Sequence, residues 1–213
     1  RNSDLTVVTT QAFVAVVEEF GGRAIAIPDP LPSLAVAPRE RGTMDGFTAF
    51  FVCTWADDEP YRELLEAAAM LDGKVKFAVT GKIRDDLSLP VIPSNVELCG
   101  YLPDEHFFQT MLNSDIVIDL TYRENCLVCG AYEAVSLGRP LLLSDTDALR
   151  NYFHTGTSFT NNSAVDIAAR IEEMASNLQH YEAEVETLRL ELTETWKDSL
   201  QELEQRISEA RDR

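Results

Sequence analysis

The sequence predicts an α/β fold: a parallel sheet with helices on both faces, followed by long C-terminal helices. Three observations predict it. Short apolar runs alternate with helix-periodic segments through the middle of the chain, which is the pattern of βαβ units. One unit is complete between Ile116 and Leu143. It comprises the apolar run Ile116 to Leu120, a polar loop Thr121 to Asn125, a helical segment closed by Gly138, then Arg139-Pro140 and the apolar run Leu141 to Leu143. From Leu178 to Ile207 the text is helical and charged, with apolar residues three and four apart.

In chain order, residues 4 to 9 read as a buried strand. Gln11 to Phe20 reads as a helix with residues 13, 14, 16, 17 and 20 on one apolar face, ended by Gly21-Gly22. Arg23 to Ile27 reads as a second strand, stopped by Pro28-Asp29-Pro30. Leu31 to Gly46 is linker text, with Pro32, Pro38, Gly42 and Gly46. Phe47 to Cys53 is a strong strand. A helix over Glu59 to Leu71 follows, with Leu64, Leu65, Ala68 and Leu71 inward. Lys74 to Thr80 and Val96 to Cys99 are strands, and Asp104 is the expected N-cap of a helix reaching Leu112. After the central unit come a short helix from Thr146 to Phe153, a strand from Gly156 to Thr160, and a helix from Ala164 to Ser176 capped by Ser163. In the last segment, four-residue steps from Leu188 to Leu200 drift off a heptad, so a break is expected near Thr193 to Thr195.

Composition sets the limits. The 213 residues are 45% hydrophobic and 25% charged, enough for a sizeable core in one large or two small domains. No run approaches the roughly 18 apolar residues of a membrane span, and no signal peptide is visible. The chain begins with Arg, so an upstream part is expected. A net charge of −18 argues against nucleic-acid binding and against tight binding to anionic lipid. Cys53 and Cys99 lie in apolar text and read as core residues. Cys126 and Cys129 form a C-x-x-C pair, open to redox or metal chemistry. However, no second pair or nearby histidine completes a zinc site. Reduced thiols and a cytoplasmic location are expected.

The residues from Glu133 to Pro140, EAVSLGRP, resemble the E-A-x-x-x-G-x-P signature of retaining GT-B glycosyltransferases, family 4 in particular. The stretch from Asn95 to Pro103, NVELCGYLP, is similar to that family's N-V-x-F-x-G-x-L-P, and Asn113-Ser114-Asp115 and Ser144-Asp145 fit their places around the two strands. The resemblance covers about residues 47 to 171. It implies a Rossmann-like GT-B C-terminal half that binds a nucleotide-diphosphate sugar. Residues 1–46 would then be a βαβ remnant of the N-terminal domain plus linker, and 47–213 the nucleotide-sugar-binding domain with its helical extension.

The resemblance also implies site residues. Glu133 would accept hydrogen bonds from the ribose hydroxyls; the alternative is a helix glutamate in an ion pair. The family's Glu, seven residues, Glu spacing leaves Glu124 and Asn125 both open as the group near the reacting sugar, since Glu124 stands one residue too far back. Asn125 could not supply the negative charge that favours a cationic transition state. Cys129 and Gly130 open the helix toward phosphate. Gly130 would allow close approach, or else serve helix–strand packing. The family's Arg and Lys after the first strand are missing; Thr54-Trp55-Ala56-Asp57-Asp58-Glu59-Pro60 stands there. Thr54 and Trp55 could line the cleft, with Trp55 equally a core residue. Lys82 or Arg84 could replace the missing cations or be solvated. Tyr101 could stack on the base or pack.

The resulting expectation is the donor-binding half of a glycosyltransferase that moves a sugar from a nucleotide-sugar to a glycan or lipid-linked acceptor, as in polysaccharide biosynthesis. The isolated chain would be inactive without its N-terminal domain. No cofactor or metal is implied, and self-association through the C-terminal helix is expected. The alternative is a silent glycosyltransferase-like domain for binding or assembly, with a nucleotide-sugar epimerase ranked last.

Overall fold

The computed structural model describes residues 3–37 and 46–211. Pro38 and Gly42 of the expected linker lie outside the described residues.

A small unit comes first. Strand β1 (Thr6–Val8) and strand β2 (Ala24–Ala26) pair in parallel, joined by helix α1 (Gln11–Glu19). The main sheet has six strands: β3 (Phe47–Phe51), β4 (Val75–Thr80), β5 (Val96–Gly100), β6 (Ile116–Asp119), β7 (Leu141–Ser144) and β8 (Thr157–Thr160). Their order is β5-β4-β3-β6-β7-β8, and every neighbouring pair is parallel. The chain winds outward from β3 to β5, returns to the middle at β6, and winds outward again. This is the doubly wound arrangement, with its switch point between β3 and β6. Helices α2 (Tyr61–Met70), α3 (Asp104–Asn113), α4 (Cys129–Ser136), α5 (Asp147–Tyr152), α6 (Ala164–Ser176) and α7 (Leu178–Arg211) complete the fold.

Strand alternation builds a core on each face. Ala49 and Phe51, Ile116 and Ile118, and Leu142 pack with α2 and α6. Phe50, Val117, Leu141 and Leu143 point the other way, toward α3, α4, α5 and α7. Successive side chains of a strand face opposite sides, so a strand buried on both faces must be apolar at every position. That is why the central strands read as unbroken apolar runs.

Four expectations change. Strand β1 is not buried: Val7 is half exposed, and α1 has no buried residue. Phe13, Val16 and Phe20 of its apolar face stand in solvent because no second layer covers them among the described residues. Asp104 is not an N-cap. Pro103 holds that position without a side-chain cap bond, and Asp104 begins the first turn, where its charge favours the helix dipole. Cys99 is only half-buried. Finally, α7 does not break at Thr193 to Thr195. It runs 34 residues, and Thr193 bonds back to the Arg189 carbonyl at 2.7 Å within the helix. Its apolar stripe drifts around the helix: Val185, Leu188 and Leu192 seal the sheet face, while Trp196, Leu200 and Leu203 are half-buried further on. The Ser163 cap is present, accepting from the Asp166 N–H at 3.3 Å.

Candidate functional site

In a doubly wound sheet the strands on either side of the switch point send their following loops in opposite directions, which leaves a crevice at their carboxyl ends. Here the crevice lies beyond Phe51 of β3 and Asp119 of β6. Two loops border it: residues 52–60, leading to α2, and residues 120–128, leading to α4. They are joined. The Tyr122 N–H donates to the Asp58 carbonyl at 2.7 Å, and the Arg123 guanidinium meets the Asp58 carboxylate at 2.5 Å.

The floor is Asp119, a carboxylate at the end of an apolar strand and 8% exposed. Burial, then the charges of Glu59 and Glu133, holds its pKa well above the usual range, while the Gly130 N–H bonds to the charged form and opposes the shift. Helix α4 can sit this close because Gly130 has no side chain. A Cβ there would fall 2.6 Å from Asp119 Oδ2 and 2.8 Å from Val52 Cγ2. Of the two roles open to Gly130, close packing of helix on strand is the one its contacts display.

Glu133 sits one turn further along α4. It is half-buried, and no hydrogen bond or ion pair engages it among the described residues; the ion-pair alternative therefore finds no partner. Burial, with a smaller contribution from the Asp104 charge, pushes its pKa up to about 7. Cys129 is exposed at the start of α4 and Cys126 is half-buried in the loop before it. Burial raises both thiol pKa values, and the Asp119 charge adds to the rise in each. Neither is an activated thiolate of the kind redox catalysis uses. No group of three or more His, Cys, Asp or Glu among the described residues could hold a metal ion.

The loop after β3 is tied by Glu59. Its carboxylate accepts from the Thr54 N–H at 2.9 Å, the Thr54 hydroxyl at 2.7 Å, the Ala56 N–H at 3.1 Å and the Cys53 thiol at 3.2 Å. Backbone N–H groups that in such a loop could face an anionic ligand are thus already taken by a side chain. Trp55 occupies the left-handed region, with φ of 61°, and is buried with its indole N–H on the Gly81 carbonyl at 3.0 Å. It is a core residue. A positive φ is costly for so large a side chain. Gly81 accommodates the loop because a Cβ there would fall 2.0 Å from the Cys53 carbonyl oxygen.

The remaining candidates separate. Thr54 is exposed, with its hydroxyl given to Glu59. Arg84 is held by Asp57 at 3.3 Å and Asp86 at 3.6 Å, whereas Lys82 is exposed with no ion pair recorded among the described residues. Tyr101 is 78% exposed beyond β5, so it does not pack. Glu124 and Asn125 are both exposed, but only Asn125 lines the cavities described next. One cavity, of about 270 Å³, is bordered by Thr9, Asp29, Arg123, Asn125 and Tyr132. The other, of about 440 Å³, lies between the start of α1 and helices α5 and α7.

The sequence reading missed Asp119, Glu59 and the Arg123–Asp58 pair. An acid ending an otherwise apolar strand was the available signal for Asp119. The others depend on partners that no local pattern reveals.

No family model matches the chain, and no curated protein matches it in sequence. Solved structures do match its fold. Sucrose-phosphate synthase from Thermosynechococcus elongatus superposes with a TM-score of 0.76 at 14% identity, over 98% of this chain and 59% of that one. HepE from Anabaena, solved with UDP and glucose, gives 0.71 at 12% identity, over 93% of this chain and 63% of that one. TarM gives 0.69 at 16% identity, over 94% of this chain and 42% of that one. The chain therefore spans between 42% and 63% of the length of these three structures. At these identities the shared property is the fold, that of the Rossmann-like domain of GT-B proteins.

Proposed function

We propose that this chain is the donor-binding half of a retaining, family 4-like GT-B glycosyltransferase, which transfers a sugar from a nucleotide-sugar to a glycan or lipid-linked acceptor. The observation that carries the reading is Glu133: a half-buried carboxylate without a partner among the described residues, in the helix that follows the switch-point strand. A carboxylate offers two oxygens, each able to accept, and the ribose 2′ and 3′ hydroxyls offer two donors. Exposed Tyr101 suits a stacking role against the base. The start of α4 at Cys129 and Gly130 suits the diphosphate, although the Gly130 N–H already serves Asp119. Lys82, which has no ion pair among the described residues, would oppose the leaving-group charge. Thr54 lines the approach. Asn125, rather than Glu124, borders the space in which the reacting sugar would lie, and it would act by hydrogen bonding. Residues 1–46 are the remnant of the acceptor-side domain in this reading, so the chain alone binds donor without turnover. No helix among the described residues is long and apolar enough to cross a membrane.

Ligand-observed NMR tests this. UDP is the first probe because HepE was solved with it, followed by GDP, ADP and their sugars, on the wild type and Glu133→Ala. Binding of one nucleotide, lost in the variant, is the expected result. Binding that survives in Glu133→Ala removes Glu133 from the site. Failure of every nucleotide with a two-domain protein overturns the reading in favour of a silent domain.

A further inference from the structure

The four cysteines differ in their surroundings. Cys53 is buried and donates its thiol to the Glu59 carboxylate at 3.2 Å. Cys99 lies on the edge strand β5. Cys126 and Cys129, with two residues between them, stand at the turn from β6 to α4. A C-x-x-C pair within a βαβ unit is an arrangement suited to thiol–disulfide chemistry. Cys129 is exposed and opens α4, and Cys126 is half-buried in the loop before it. No hydrogen bond engages the Cys129 thiol among the described residues, and the Cys126 thiol makes only a long contact with the adjacent Leu127 carbonyl, at 3.5 Å. The two are close enough for charge on Cys126 to act on Cys129. Neither sulfur is committed to a strong partner.

A disulfide needs Cα atoms about 4.4–6.8 Å apart, and four residues bring their ends within about 7 Å when the central two turn. Here the central two are Leu127 and Val128. Neither belongs to a helix or strand, and Val128 has extended backbone, with φ of −88° and ψ of 137°. Turning them puts at stake the bond from the Ala131 N–H to the Val128 carbonyl, at 3.3 Å. It also moves Cys126 and Leu127, which border the cavity of about 270 Å³ together with Arg123 and Asn125. Upstream, the loop stays anchored to Asp58 through Tyr122 and Arg123. Burial, then the charges of Asp119, Glu133 and Asp29, disfavours the Cys129 thiolate. A stabilised thiolate makes its disulfide easy to reduce; a disfavoured one is a poor leaving group, so the disulfide persists. Formation is slow for the same reason, because thiolate is the attacking form. The pair therefore suits a sustained oxidising condition rather than a brief one.

We propose that Cys126 and Cys129 form a reversible disulfide that turns Leu127–Val128 and fixes this wall of the cleft in a second shape. The oxidant is a small-molecule disulfide such as oxidised glutathione. The Cys129 thiolate attacks one of its sulfurs, forming a Cys129–glutathione bond and releasing one glutathione. The Cys126 thiolate then attacks the Cys129 sulfur, closing the protein disulfide and releasing the second glutathione. Two protein thiols give up two protons and two electrons, and one glutathione disulfide becomes two thiols. The proposal does not rest on the nucleotide reading, since no ligand takes part in the exchange.

Peptide mapping of the whole 213-residue chain tests it. The chain, without denaturant, is incubated with oxidised glutathione at about pH 8, where thiolate is more abundant than at neutrality. It is then unfolded, alkylated and cut with trypsin. Both cysteines fall in the peptide from Glu124 to Arg150, because Pro140 protects the bond after Arg139. That peptide should be two hydrogens lighter than its reduced form and carry no alkyl group, while Cys53 remains alkylatable. Dithiothreitol should restore two alkylation sites. Cys126→Ser should stop at the Cys129–glutathione mixed disulfide. In the wild type, oxidation should slow hydrogen exchange of amides 125–128 by about threefold or more. The proposal is overturned if the pair stays reduced, or if only mixed or interchain disulfides form in the wild type. It is equally overturned if the bond forms and exchange at 125–128 is unchanged. UDP is titrated into both forms; if neither binds it, only the donor reading suffers.

Discussion

Gly130 rests directly on Asp119: its N–H bonds to the buried carboxylate, and the space a side chain would need is filled by Asp119 Oδ2 on one side and Val52 Cγ2 on the other. The first turn of α4 and the end of β6 are thereby held at backbone distance. Gly130→Ala should cost about 1–3 kcal/mol, the range for overpacking a filled interior. Urea unfolding, read as a lower midpoint at unchanged slope, measures it.

Glu133 has a pKa raised to about 7, against an ordinary 4.5. The folded chain therefore binds the Glu133 proton more tightly than the unfolded chain does. Raising the pH from 4.5 through 7 costs stability, and the full penalty stands above 7. Glu133→Gln lacks the titration. Its stability relative to wild type should rise across that window and level off on either side, as paired unfolding curves at several pH values would show. Nucleotide binding that uses the carboxylate form should strengthen over the same window.

Glu59 holds the Cys53 to Ala56 loop through four donors, with Trp55 pinned at a positive φ. Glu59→Ala releases the loop. We expect a loss of about 1–3 kcal/mol, moderated because water reaches Thr54. Trp55 emission, measured in a Trp196→Phe background, should shift to the red as the indole leaves the Gly81 carbonyl.

Cys129 is exposed, yet burial of its thiol and nearby carboxylates raise its pKa. Thiolate is the reactive form. Alkylation of Cys129 by iodoacetamide should accordingly be slower at pH 7.5 than that of a free thiol with pKa of about 8.5, and its pH–rate midpoint should lie higher. Asp119→Asn removes a neighbouring charge and should bring that midpoint down.

Much of the fold was legible because it rests on local pattern. Phe47 to Phe51 and Ile116 to Asp119 announce buried parallel strands by having no polar face. Ser163 announces its helix because a cap bonds only three residues ahead. The length of α7 was not legible. A drifting apolar stripe suggests a break if the partner is another long helix, whereas α7 packs first on its own sheet and then beside the start of α1. The place of Glu133 on α4 could be read because its position after a strand and before Gly138 is a sequence relation. The role of Glu59 could not, since two of its four donors are backbone N–H groups with no sequence signature. Arg123 and Asp58 are far apart in the chain and meet only because the fold returns β6 to the side of β3.

Helix α7 has a mechanical consequence. At 1.5 Å rise per residue, its 34 residues form a rod about 51 Å long. One end is clamped: the Arg139 guanidinium reaches Glu182 at 3.3 Å, and the backbone of Val185 lies so near Gly156 that a Cβ there would fall 2.4 Å from its nitrogen. The middle of the rod passes the cavity at Trp196. A rod without a joint behaves as a cantilever. Displacing it beyond the clamp applies torque there, so whatever fills the space beside Trp196 also loads the strand pair β7–β8.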